Sequence, residues 1–268
     1  MDLSVGKRES AKIFGTEAYY SLEDEPALLT LREGVFLAVL LAGTAILSFY
    51  NYLLFHTITE LFTICVSFTI ALIVANTYKI IDNHFITFLG ISYAYVGFFD
   101  LLHTLSYQGM GVFHDPTSNL APQMWLIARA LETGAMIWAF RYFSRSLKPV
   151  WAILWFSAVT VFGLLSIFYW RIFPKCFVPG IGLTPFKVVS EYIISALLII
   201  SISLLMFHKV HIHPTVYRYL VIAFVTTIGT ELSFTKYVEM YGFSNMIGHL
   251  FKLIAFYFLY KAVVETSL

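Results

Sequence analysis

The sequence predicts an all-α integral membrane protein, a bundle of eight transmembrane helices with both termini on the cytoplasmic side. Three observations lead there. Of 268 residues, 59% are hydrophobic and only 12% charged, half the charged share of about 25% found in ordinary soluble domains. The mean hydropathy of +0.78 means more apolar surface than a soluble monomer hides in one core. The apolar residues also fall into eight runs near the roughly 20 residues that cross a bilayer as helix, without the alternation of a lipid-embedded barrel.

Taken in order, the expected spans are 34–50, 57–76, 85–106, 122–143, 150–170, 185–207, 215–236 and 245–261. The connection 51–56 is short and apolar, so the first two spans form a helical hairpin. The longest connections, 107–121 and 171–184, hold Gly109, Gly111, Pro116, Pro174, Pro179, Gly180 and Gly182, which are turn formers. Residues 1–33 read as a charged cytoplasmic segment with no secretory leader. Residues 34–264 read as the membrane domain, and 265–268 as the start of a cytoplasmic linker to an output domain. No inverted repeat of the transporter kind is visible.

Orientation follows from Lys and Arg. With the N-terminus inside, the inner segments carry Lys7, Arg8, Lys12, Arg32, Lys79, Arg141, Arg145, Lys148, Lys209, Arg218 and Lys261, eleven in all. The outer segments carry four: Arg171, Lys175, Lys187 and Lys236. Composition also excludes functions. A net charge of +1 from 17 basic and 16 acidic residues excludes a nucleic-acid binder working through a basic face. Cys65 and Cys176 lie too far apart in sequence for a disulfide scaffold. Neither a phosphate-cradling glycine loop nor a CxxC pair is present. The 26 Phe, 17 Tyr and 5 Trp mark lipid-facing surface and interface belts.

Charged groups at membrane depth cost several kcal/mol each, so those inside the spans are the informative ones. His56 and Glu60 open the second span four residues apart, on one face. Asp100 and His103 close the third, and Arg129 and Glu132 lie three apart early in the fourth. Glu191 is early in the sixth, Glu231 late in the seventh, and His249 and Lys252 early in the eighth. On the N-in topology all of these lie in the outer half of the bilayer, with His114 in the connection above them. The pattern points to a polar cavity opening outward, lined by His56, Glu60, Asp100, His103, Arg129, Glu132 and His249. His114, Glu191, Glu231 and Lys252 are secondary candidates. Such a set would take a transition metal, a haem on two of its histidines, a small polar ligand against Arg129, or a proton relay.

The plainer readings are an ion pair of Arg129 with Glu132 or Asp100 that fixes helix register, and Glu231 with Lys236 at the water boundary. His208, His211 and His213 beside Lys209 and Arg218 read as a solvated inner loop, and His84 beside Asp82 as interfacial.

The stretches 55–62 (FHTITELF), 88–93 (FLGISY), 97–113 (GFFDLLHTLSYQGMGVF) and 123–129 (QMWLIAR) with Leu131 and Glu132 resemble the bacterial membrane-associated sensor domains of the third type. The resemblance covers residues 31–268 and is densest over 56–132. It implies an input module, not itself an enzyme, in the bacterial inner membrane. The output, fused C-terminally, would be a histidine kinase or a cyclic-di-GMP synthase or hydrolase, commonly in a homodimer. A metal- or haem-dependent membrane redox protein and a proton-coupled transporter are the competing expectations.

Overall fold

The computed structural model describes residues 8–13, 16–21, 27–80, 83–115, 117–235 and 241–265. Asp82, Pro116, Lys236 and residues 266–268 lie outside them. A short antiparallel hairpin, β1 (Arg8–Ile13) and β2 (Thr16–Ser21), precedes the bundle, with Arg8 opposite Ser21 and Ile13 opposite Thr16. The helices are α1 (Leu31–Tyr50), α2 (Tyr52–Thr77), α3 (His84–Leu105), α4 (Leu120–Ala139), α5 (Pro149–Leu164), α6 (Pro185–Phe207), α7 (Pro214–Phe234) and α8 (Phe243–Tyr260). A second small hairpin, β3 (Phe177–Val178) with β4 (Gly182–Leu183), sits between α5 and α6. Among the described residues, six helical segments are long and apolar enough to cross a membrane: those starting at Leu31, Tyr52, His84, Pro149, Pro185 and Phe243.

The sequence sets the helix ends locally. Thr30 and Glu33 form a capping box at the start of α1, satisfying two backbone donors that the first turn leaves open. Asn51 alone separates α1 from α2. Its N–H donates to Leu47 at the end of α1, and its Oδ1 accepts from Leu54 N in α2. The hairpin turn is therefore one residue, not six, and His56 sits in the second turn of α2 instead of before it. Asn83 caps α3 and Thr184 caps α6 by the same side-chain-to-backbone bond. Three expected spans end differently: α4 tightens into a 3₁₀ turn over Phe140–Phe143, and α5 and α8 widen into π turns over Leu165–Tyr169 and Lys261–Glu265.

Packing closes α2, α3, α4, α6, α7 and α8 into a ring, each helix touching the next and α8 returning to α2. Helix α1 leans on α2 and α8 from outside, and α5 leans on α3. The approach is closest at two glycines. A Cβ at Gly90 of α3 would run into Val74 of α2, and one at Gly248 of α8 into the Phe234 ring of α7. At one end of the ring α2, α4, α6 and α8 begin and α3 and α7 finish. The loop 106–119 and the 170–184 segment lie over that end. They are joined by Asn119, whose Oδ1 accepts from Cys176 N and Phe177 N, and by Gln123 Nε2, which donates to the Phe173 and Pro174 carbonyls.

At the opposite end His208 caps α6 against Leu204 O and stacks on Phe143, while His213 Nδ1 accepts from Thr215 N. The expected loop histidines thus serve as helix ends. At that end Lys261, counted by sequence among the inner charges, is buried and pairs with Glu33.

Asp115 starts α4 in place of Asn119, accepting from Leu120 N, Thr117 N and Thr117 Oγ1. Burial pushes its carboxyl up, but these bonds outweigh burial and hold it below its ordinary range. Replacing it with Ala should lower stability by about 1 kcal/mol, as for other lost helix caps. A lowered folded pKa means the stabilisation is complete above the unfolded value near 3.9 and disappears as pH falls through the folded one. Unfolding midpoints of D115A and parent in detergent should differ at pH 7 and converge in acid.

A buried ion and histidine cluster

Every ring helix contributes to one cluster, and the two outer helices contribute nothing. At its centre the Arg129 guanidinium donates to both oxygens of Asp100 at 2.9 and 2.7 Å. It also donates to Glu132 one turn along α4. Glu132 takes a further bond from Tyr93 Oη at 2.8 Å. Lys252 Nζ donates to Glu60 at 2.7 Å and stands 3.3 Å from Asp100. Asp100 is thus shared by Arg129 and Lys252, which ties α3 to α4 and α8. Trp125 presents its ring to both cations, 4.8 Å from Arg129 and 4.5 Å from Lys252. Arg129, Lys252, Asp100 and Glu60 are all at most 2% exposed.

Next to the ions, towards the loops, lie three imidazoles. His56 Nε2 is 3.3 Å from His103 Nε2, and His249 Nε2 is 3.4 Å from Glu60 Oε1. His103 Nδ1 is bonded to the Ala121 carbonyl and His249 Nδ1 to the Asn245 carbonyl, both at 2.8 Å. A carbonyl only accepts, so both rings carry a proton on Nδ1 and turn Nε2 inward, where it is a lone pair in the neutral form. His56 is held by stacking on Tyr107, ring centres 3.6 Å apart. The inward atoms of His56, His103, His249 and Glu60 lie within 4.8 Å of one another. A haem does not fit here: His56 and His249 ring centres are only 4.8 Å apart, and the adjoining cavity is about 20 Å³, room for one water.

Of the residues singled out by sequence, His56, Glu60, Asp100, His103, Arg129, Glu132, His249 and Lys252 come together here. Glu191 and Glu231 lie on the α6–α7 side. Glu191 pairs with Lys187. Glu231, expected at a water boundary, is fully buried with neither oxygen hydrogen-bonded among the described residues, and its charged neighbours are Glu191, Lys187, Arg129 and Glu132. His114 is exposed on its loop and takes no part.

Sequence reasoning counted Lys187 as an outer-loop charge. The structure buries it in the first turn of α6, and its spacing of four from Glu191 was the available signal. Tyr93 and Trp125 were missed as well, although they precede Asp100 by seven and Arg129 by four, on the same helix faces.

A ring of helices built around buried charge and covered outside by apolar side chains defines a helical membrane protein with a polar core. The chain belongs to the membrane-associated sensor domain family (MASE3), whose pattern matches residues 47–268. No curated protein and no solved structure matches it.

Because Arg129 alone satisfies Asp100 and Glu132 together, its removal leaves two carboxylates buried without a full partner. Breaking such a pair costs about 3–5 kcal/mol. Arg129→Ala should therefore lower the unfolding midpoint in detergent sharply, and Arg129→Lys, which keeps the charge but not the fork, should recover part of it.

Proposed function

We propose that this domain is the input module of a signalling protein of the bacterial inner membrane. The His and carboxylate cluster receives the stimulus, and α8 carries it to a cytoplasmic output. The observation that supports this reading most directly is that α8 supplies both His249 and Lys252 to the cluster and runs on to the opposite end of the bundle. From His249 to Lys261 is 12 residues, about 18 Å at 1.5 Å per residue. A ligand shifts a two-state equilibrium only through contacts that differ between the states, and contacts on α8 supply such a difference.

All eight helices span the bilayer in this reading. Helices α4 and α7 are less apolar than the other six, but both belong to the ring, where neighbours shield them from lipid. Moving Lys187 from the outer tally into the core leaves three outer basic residues against eleven inner ones, which favours the N-in, C-in orientation. Output as a histidine kinase or a cyclic-di-GMP enzyme, acting as a homodimer, rests on the resemblance in the 55–132 motifs.

Helix α8 runs without a break from Phe243 to Tyr260, past both His249 and Lys252. The next residues, Lys261–Glu265, form a π turn, and Lys261 is held there by Glu33 of α1 and stands 5.4 Å over the Tyr219 ring of α7. A shift of α8 would therefore be felt by α1 and α7 as it leaves the bundle.

Fused to a kinase or cyclase reporter, His249→Ala should change basal output at unchanged membrane level, while His114→Ala should not. Reporter linkers differing by one residue, which turn the output by about 100°, should alternate between high and low activity. Equal output from His249→Ala and from every linker phase would exclude α8 as the lever.

A further inference from the structure

We infer that His56, His103, His249 and Glu60 bind one divalent first-row transition-metal ion in the core of the bundle. The inference names the ligand class of the cluster proposed above as the receiving site, and rests on that reading only for the ion's role as a signal. Its first support is distance. Tetrahedral bonds of about 2.0–2.1 Å place ligand atoms roughly 3.3 Å apart. His56 Nε2 to His103 Nε2 is 3.3 Å, and His249 Nε2 to Glu60 Oε1 is 3.4 Å, so two opposite edges of such a tetrahedron are present. The four atoms lie within 4.8 Å of one another overall, so a modest contraction completes it.

The second support is what these atoms otherwise lack. Glu60 Oε1 and His249 Nε2 are fully buried and, apart from facing each other at 3.4 Å, have no hydrogen-bond partner among the described residues, a costly arrangement for groups away from water. Glu60 uses its other oxygen for Lys252, leaving Oε1 free for a metal. The Nδ1 bonds of His103 and His249 to backbone carbonyls are the outer-sphere contacts that fix a ligating imidazole's tautomer and raise its basicity. Lys252 does the same for the carboxylate.

The third support is charge. The cluster around the imidazoles holds three carboxylates (Glu60, Asp100, Glu132) against two cations (Arg129, Lys252), an excess of one negative charge with neutral histidines. Uncompensated negative charge at a depth where it is costly favours a bound cation. Three imidazoles with one carboxylate suit zinc, iron, manganese or copper and not calcium or magnesium, which prefer oxygen. The cavity beside His103 and His249 is rimmed by Tyr107, Lys187 and Asn245 and gives a water-sized approach from the loop end.

The test uses the full chain purified in detergent without chelator, with elemental analysis and titration by Zn²⁺ and Co²⁺. The expected result is one ion per chain and the visible bands of tetrahedral Co²⁺. His249→Gln and His103→Gln should each weaken affinity by more than the roughly 10–100-fold typical of outer-shell changes, and Glu231→Gln should keep the stoichiometry. Folding of each variant is checked by helical circular dichroism and monodispersity. If a ligand variant fails that check, the Co²⁺ bands of the parent decide alone: tetrahedral bands with nitrogen ligation support the site. Less than about 0.1 ion per chain after Zn²⁺ loading overturns it, as does stoichiometric metal unaffected in both folded His variants. Metal binding with unchanged reporter output would overturn the signalling reading and leave the site standing. A reporter response to stimulus in protein that takes up no metal would overturn the site and leave the signalling reading standing.

Discussion

The structure depends on the cost of holding charge away from water. Arg129 at 1% exposure is tolerable only because its planar fork meets Asp100 with two bonds and Glu132 with another, and lies against Trp125. Removing water strengthens each of these contacts and makes each missing one expensive. Pairs within one helix, Arg129 with Glu132 and Lys187 with Glu191, are joined by pairs between helices: Asp100 on α3 needs Arg129 on α4 and Lys252 on α8, and Lys252 needs Glu60 on α2. Apolar faces alone would let helices slide or rotate in lipid. Shared carboxylates fix their register, which is the best-attested use of buried polar groups.

The same constraint sorts the helices. Those in the ring carry the ionisable residues and have their polar faces turned inward; α1 and α5 carry none in the cluster and show lipid-like side chains, such as Phe49, Trp151 and Trp155, on their outer faces. Helices α4 and α7 afford lower hydropathy because ring neighbours cover them.

A fully satisfied ion network would be scaffold only. Here satisfaction is uneven: both oxygens of Asp100 and both of Glu132 are bonded, whereas Arg129 Nε, His56 Nδ1, one oxygen each of Glu60 and Glu191 and the whole Glu231 carboxylate have no hydrogen bond among the described residues. Of the cluster's histidines, His103 and His249 line a water-sized cavity. Helix α8 carries both Lys252 of the ion network and His249 of the imidazole group, and at the far end it meets the π turn and the Lys261–Glu33 pair.

The sequence by itself determined that the chain is a helical membrane protein, which apolar helices exist, and that His56, Glu60, Asp100, His103, Arg129, Glu132 and His249 are the residues to explain. Hydropathy and i, i+3 or i, i+4 spacing are local properties, readable without knowing any neighbour. The 55–132 motifs likewise pointed to the sensor family that the chain matches. Tertiary structure decided the rest. The sequence already started the sixth span at Pro185, so whether Lys187 was an outer charge or a core cation depended on the helices that α6 packs against, α4 and α7. Glu231 is buried because α7 lies inside the ring, a fact of helix order in space. That three imidazole nitrogens and a carboxylate oxygen face one point depends on α2, α3 and α8 meeting. Helix phase says which face a residue is on; only packing decides what that face meets.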